Sequence, residues 1–305
     1  MIPCFSAIIN QRLRPRVRSA KWWVLGCVLG LSACSLAVSA YNNAAQLLMF
    51  LWIDPHLKLN KAQKEKTLAD LQAVLNWHRE KQLPAYADLL LQMKSLAVTN
   101  ISAQQVCAVV DQVSDLTETL ALQLEEPVAR LVLTLTPAQL QTFKNALAQD
   151  AKDHRKEWRL DDALPLQLNV QTEKGQANAE RLYGRLSPAQ QKLLRQLAQN
   201  SGYEGEKTFA ERLRIHNASL YLVEQVIQER PSPEQSKAMV RQWIETSIHS
   251  PDASYVAYLK KRKQANCEAV AALHNTTTSE QRARAVRVLK GYEEDIQALR
   301  KQSPV

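Results

Sequence analysis

The chain has 305 residues, 46% of them hydrophobic, enough to bury a core in one large domain or two small ones. Only 7 glycines occur, Leu, Ala, Gln, Lys, Arg and Glu dominate, and strand-like alternation is nearly absent, which argues for an all-α fold and against sheet-based ones. Five cations (Arg12, Arg14, Arg16, Arg18 and Lys21) lie in the first 33 residues, and without them the net charge of +9 falls by five to +4. That remainder is ordinary for a helical domain and gives no reason to expect a nucleic-acid partner.

The first element is an export signal. A basic stretch reaches Lys21, an apolar stretch of about twelve residues runs from Trp22 to Ala33, and Cys34 follows. Twelve residues is signal-peptide length and falls short of the roughly twenty that span a bilayer. The expected division is therefore a cleaved signal, residues 1–33, and one helical periplasmic domain, residues 34–305, the alternative being a signal anchor that stays uncut or a buried helix. The basic region is long, and Val17 begins a signal of more ordinary length, so Val17 is a second candidate for the true start.

Tyr41 to Ile53 reads YNNAAQLLMFLWI. It is apolar enough to lie on a membrane, but interfacial helices show a strongly charged face and this one has none, which favours a first core helix.

A short polar residue followed three positions later by Gln occurs six times: Asn60 with Gln63, Ser102 with Gln105, Thr136 with Gln139, Ser187 with Gln190, Ser232 with Gln235, and Thr278 with Gln281. Each pair has the chemistry of a capping box, and Pro137, Pro188 and Pro233 stand at the first helical position, where a missing donor costs nothing. Apolar residues at helical spacing follow, for example Leu140, Phe143 and Leu147 after Thr136. The intervals of 42, 34, 51, 45 and 46 residues are too uneven for a strict solenoid. They predict an irregular multi-helix bundle of helical hairpins. Further helices are expected at about 40–53, 84–98, 165–183, 205–229 and 252–273. Pro84, Pro127, Pro165 and Pro251 mark breaks or starts. Residues 53–56, 159–162 and 200–202 read as short linkers.

Cys4 and Cys27 fall in the signal, which leaves Cys107 and Cys267 in the mature chain. In an exported, oxidising compartment an isolated pair reads as one disulfide, the alternative being two unrelated buried thiols. The six histidines are scattered without metal-ligand spacing, so no metal and no cofactor is expected. Trp77-His78-Arg79 is the most site-like run, joining an aromatic ring, a titratable ring and a fixed cation. It is a possible binding site, set against a bland reading in which Trp77 is core beside Leu71, Val74 and Leu75, with His78 and Arg79 at its edge. Glu125-Glu126 and Asp161-Asp162 are sequence neighbours that point to different helix faces, so neither pair forms a catalytic dyad. Lys260-Lys-Arg-Lys263 is a solvated helix face or a patch for anionic lipid.

Leu31-Ser32-Ala33-Cys34 resembles the lipobox of bacterial lipoproteins. The resemblance implies cleavage after Ala33, a diacylglyceryl thioether on Cys34 and acylation of the new N-terminus. Ser35 in place of Asp favours the outer membrane by the same analogy. Leu135-Thr-Pro-Ala-Gln139 and Leu186-Ser-Pro-Ala-Gln190 look like the Leu-Thr-x-x-Gln motif of Spy and CpxP type periplasmic chaperones, although the chain is about twice as long. A wider resemblance is to the proteobacterial lipoproteins of the domain of unknown function 6279. It rests on Tyr41-Asn42-Asn43, Trp52-x-Asp54, Trp77-His78-Arg79 with Gln82-Leu83-Pro84-x-Tyr86, Gly184-x-Leu186 with Gln190, and Cys267 with His274-Asn275-Thr276-Thr277 and Gln281. That family implies a helical periplasmic lipoprotein and has no assigned activity to carry over.

The expected function is accordingly a non-enzymatic helical binding or scaffolding lipoprotein. Its partners would be the membrane, through lipid on Cys34, and an envelope protein or polymer. The alternatives are a chaperone-like or envelope-stress protein and an enzyme subunit acting on cell-wall or lipid substrates.

Overall fold

All six short-polar-x-x-Gln motifs open helices. In each, the Asn, Ser or Thr side chain accepts the backbone N–H of its Gln, and the Gln side chain accepts the N–H of the cap residue. The boxes satisfy amides that would otherwise be orphaned at these six helix starts. Asp252 performs the same task for the helix that follows it, accepting from Ser254 N at 2.8 Å.

The computed structural model describes residues 41–301, residue 42 excepted. In chain order these form α1 (Ala44–Leu48), a π turn (Met49–Ile53), α2 (Asp54–Leu57), α3 (Lys61–Trp77), a second π turn (His78–Gln82), α4 (Leu83–Ala97) and α5 (Ala103–Gln123). Then come α6 (Glu125–Val132), α7 (Pro137–Glu157), α8 (Leu164–Tyr183), α9 (Pro188–Gln199) and α10 (Gly205–Glu229). The last three are α11 (Pro233–Ile248), α12 (Ala253–His274) and α13 (Ser279–Arg300). The described residues contain no strand, so the chain is all-α, with helical hairpins in an irregular bundle.

The largest core cluster gathers Leu57 and Leu59, Ala129 and Val132 of α6, Phe143 and Leu147 of α7, Leu222, Val223 and Val226 of α10, and Val240 and Ile244 of α11. A second joins Ala97 of α4, Tyr183 of α8, Leu186, Leu273 of α12, and Ala285 and Leu289 of α13. Here α4 packs along α13, so an early helix closes against the last one. Gly184 ends α8 with φ +77°, a conformation that strains any other residue. Cys107 of α5 and Cys267 of α12 form a disulfide with 5.5 Å between their α-carbons.

Two expectations need correction. Residues 53–56 are helical rather than a linker, whereas Pro84 stands in the first turn of α4 and marks a helix start as expected. Each π turn ends two residues before a proline, Pro55 or Pro84. A proline removes one backbone donor and crowds the preceding turn, and a locally widened helix accommodates both effects. The first helix is also only half core. Ala45 and Met49 are buried, whereas Leu47, Phe50, Leu51 and Trp52 face solvent. Helix α6 was not foreseen, although Pro127, expected to mark a break or a start, lies in its first turn.

Candidate functional site at the second π turn

The run Trp77-His78-Arg79 straddles the end of α3 and the start of the second π turn. Of the three, Arg79 lies deepest, 3% exposed, while Trp77 and His78 are half-buried. Arg79 is therefore not an edge residue. It lies in the π turn, and its guanidinium carbon lies 5.5 Å from the centre of the Tyr41 ring. A cation over an aromatic face is attracted by the ring quadrupole, more so when desolvated.

Tyr41 completes the cluster. Its hydroxyl donates to the Leu75 carbonyl at 3.0 Å and lies 2.8 Å from His78 Nδ1. A carbonyl only accepts, so with the hydroxyl proton on Leu75 the imidazole donates from Nδ1. The His78 ring also meets Tyr86 of α4 at 5.7 Å. Burial pushes the Tyr41 phenol up to about 12, with Arg79 opposing, and burial lowers the His78 pKa. The cluster thus holds a neutral phenol, a neutral imidazole and one buried cation at pH 7. Gln82, 3% exposed, donates from Nε2 to the Leu116 carbonyl at 2.7 Å and ties the turn to α5. With His78 engaged by Tyr41, the arrangement fastens the chain just after Tyr41 to the bundle.

The other sequence candidates are dispersed. His56 stacks on Trp52 and lies 2.8 Å from Asp150 Oδ2. Burial alone would depress His56, but Asp150 and the Trp52 carbonyl outweigh it and leave its pKa raised. His274 lies between the Tyr183 hydroxyl at 2.9 Å and the Thr99 carbonyl at 2.7 Å. Among the described residues no group of three His, Cys, Asp or Glu side chains is placed to hold a metal ion.

Glu125 pairs with Arg241 and Glu126 with Arg130, and Lys237 of α11 reaches both carboxylates, at 3.9 and 3.1 Å. Asp161 pairs with Arg155 and Asp162 with Arg159. In the basic run, Lys263 pairs with Asp111 of α5, and Arg262 donates to the Ser201 carbonyl and lies over Tyr203. A cleft of about 240 Å³ between α3 and α6 is lined by Lys66, Thr67, Asp70 and Arg130. Its charges are mutually paired: Arg130 grips Asp70 at 3.0 and 3.1 Å, and with Lys66 holds the carboxyl below its usual range despite burial. Ala33 and Cys34 lie outside the described residues.

Fold and cluster together define a disulfide-tied, all-helical protein whose histidines and carboxylates are largely engaged by internal partners. The model of the family of unknown function DUF6279 matches residues 55–249, well over half of the chain, and the protein belongs to that family. No curated protein matches the chain, and no solved structure matches it. Tyr41, Gln82 and Tyr86 could be singled out in sequence only through the family resemblance, because neither spacing nor charge distinguishes them.

Proposed function

We propose that the protein is a bacterial envelope lipoprotein, held to the outer membrane by lipid on Cys34, whose helical body binds or scaffolds a periplasmic protein or polymer without catalysing a reaction. The observation that carries this reading is the sequence Leu31-Ser32-Ala33-Cys34 placed directly after a basic and then an apolar stretch. The disulfide between Cys107 and Cys267 supports it, because such bonds persist in oxidising compartments and are rare in the cytosol. Ser35 favours the outer membrane. The internal pairing of His56, His78, His274, Glu125 and Asp70 favours binding over catalysis. No described helix is long and apolar enough to cross a membrane.

The test is metabolic labelling with palmitate. Label on the natural chain that is lost in Cys34→Ala supports the anchor, and label retained in that variant overturns it. Crosslinking in intact cells followed by purification of the lipidated protein then tests the binding role. A defined envelope partner is expected, and turnover of a cell-wall or lipid substrate by the purified protein would contradict it.

A further inference from the structure

The first described helix has two unlike sides. Ala45 and Met49 are 3% and 1% exposed, whereas Leu47, Phe50, Leu51 and Trp52 are 44%, 66%, 53% and 42% exposed. No charged residue occurs between Tyr41 and Ile53. The other exposed large apolar side chains, such as Leu91, Val113 and Tyr221, are spread over separate helices, and scattered ones need no explanation. Four within six consecutive residues form a patch, and patches mark contact sites.

We propose that this face seats in the interfacial layer of a lipid bilayer, so that helix and lipid anchor together fix how the helical body stands on the membrane. The proposal rests on the anchor reading for its geometry. Tyr41 is seven residues beyond Cys34, which limits the tether to about 25 Å of extended chain. The face therefore begins within reach of the bilayer that holds the lipid.

Three further observations favour a bilayer. The exposed apolar area is about 400 Å², taking about 200 Å² for a full large side chain, which is half of the roughly 800 Å² per partner of a stable protein interface. The exposed Lys58 and Lys61 lie five and eight residues beyond Ile53. Asp54, between them and the segment, is already neutralised by Lys64, so the two lysines suit anionic headgroups beside an inserted face. The helix is also held rigidly at both ends. Tyr41 is bonded to Leu75, and His56, stacked on Trp52 at 4.6 Å between ring centres, reaches Asp150 of α7. A fixed face presents its side chains without a further ordering cost.

Phe50 is replaced in the full chain by the photo-reactive amino acid p-benzoylphenylalanine, which its exposure accommodates, and intact cells are irradiated. A parallel variant carries the same group at Tyr221 on α10. Adducts are identified by mass spectrometry, and palmitate labelling of Cys34 is measured in the same cells. The expected result is a phospholipid adduct at position 50, about tenfold or more above that at position 221, matching an interfacial preference of one decade. An adduct to a second copy, to another protein or to residues 17–33 of the same chain, or no adduct at all, overturns the proposal. Missing lipid adducts with intact palmitate labelling sink the seating face and leave the anchor standing. Lipid adducts without palmitate labelling sink the anchor and leave the face.

Discussion

Gln63 of α3 and Gln139 of α7 exchange side-chain amide hydrogen bonds in both directions, at 3.2 and 2.8 Å. Each also closes its own capping box and donates to the carbonyl two residues before the partner's cap, Thr134 for Gln63 and Lys58 for Gln139. Gln190 and Gln281 repeat the pattern, with mutual bonds of 2.9 and 3.1 Å and donation to Thr276 and Arg185. Both Nε2 donors and Oε1 are fully used in every case. The six boxes thus fall into two groups of three whose first and third members are paired, while the middle members, Gln105 and Gln235, stay exposed.

This pairing separates the glutamines by cost. Gln139→Ala removes the mutual bonds from the buried amide of Gln63, which keeps Thr134 and Asn60, and should destabilise the fold by about 1–3 kcal/mol. Gln105→Ala removes one exposed bond and should cost about 0.5–1 kcal/mol. Urea titrations of the two variants and of the Gln63/Gln139 double variant test this. A coupling energy near zero between Gln63 and Gln139 would contradict the mutual bond.

The disulfide closes a loop of 160 residues between α5 and α12. In the chain-entropy view such a closure stabilises by roughly 3–5 kcal/mol, less any native strain. Cys107→Ala with Cys267→Ala should therefore lower the urea midpoint markedly. An unchanged midpoint would show that the cross-link carries no stability.

Acidification should weaken the fold through His154. Burial first, and then Arg212, depress its pKa from 6.5 to about 4. Between these values the unfolded chain binds a proton that the folded chain refuses, so this contribution is complete above pH 6.5 and is lost as pH falls toward 4. His78, His216 and His274 are lowered in the same direction, and His56 is raised against them. Melting temperatures from pH 7 to pH 4 should fall less steeply for His154→Gln than for the natural chain. Equal slopes would exclude His154 as a contributor.

Tyr41→Phe removes the hydroxyl that joins Leu75 and His78. A loss of about 1–2 kcal/mol is expected from two half-buried hydrogen bonds, with faster proteolytic clipping before Ala44. Unaltered clipping would show that the cluster does not fasten the N-terminal stretch.

Local chemistry was legible in sequence where it was complete within a few residues. The capping boxes, the prolines at the first helical position and the resulting helix starts all need only neighbours within three residues. The burial of Arg79 was not legible, because it depends on Tyr41, 38 residues earlier, packing over it. The glutamine pairs were hidden for the same reason: their partners lie 76 and 91 residues away, beyond any spacing rule. Charge placement misled the reading of Leu47 to Trp52. Lack of a polar face suggested full burial, yet only Ala45 and Met49 find neighbours tight enough to cover them.

The central claim is that Cys34 is the lipidated first residue of the mature protein. Mass spectrometry of the protein extracted from cell membranes tests it most directly. The account predicts a chain beginning at Cys34 and carrying a diacylglyceryl group and an amide-linked acyl chain. A membrane-extracted chain that retains residues 17–33, or one with an unmodified Cys34, would contradict it.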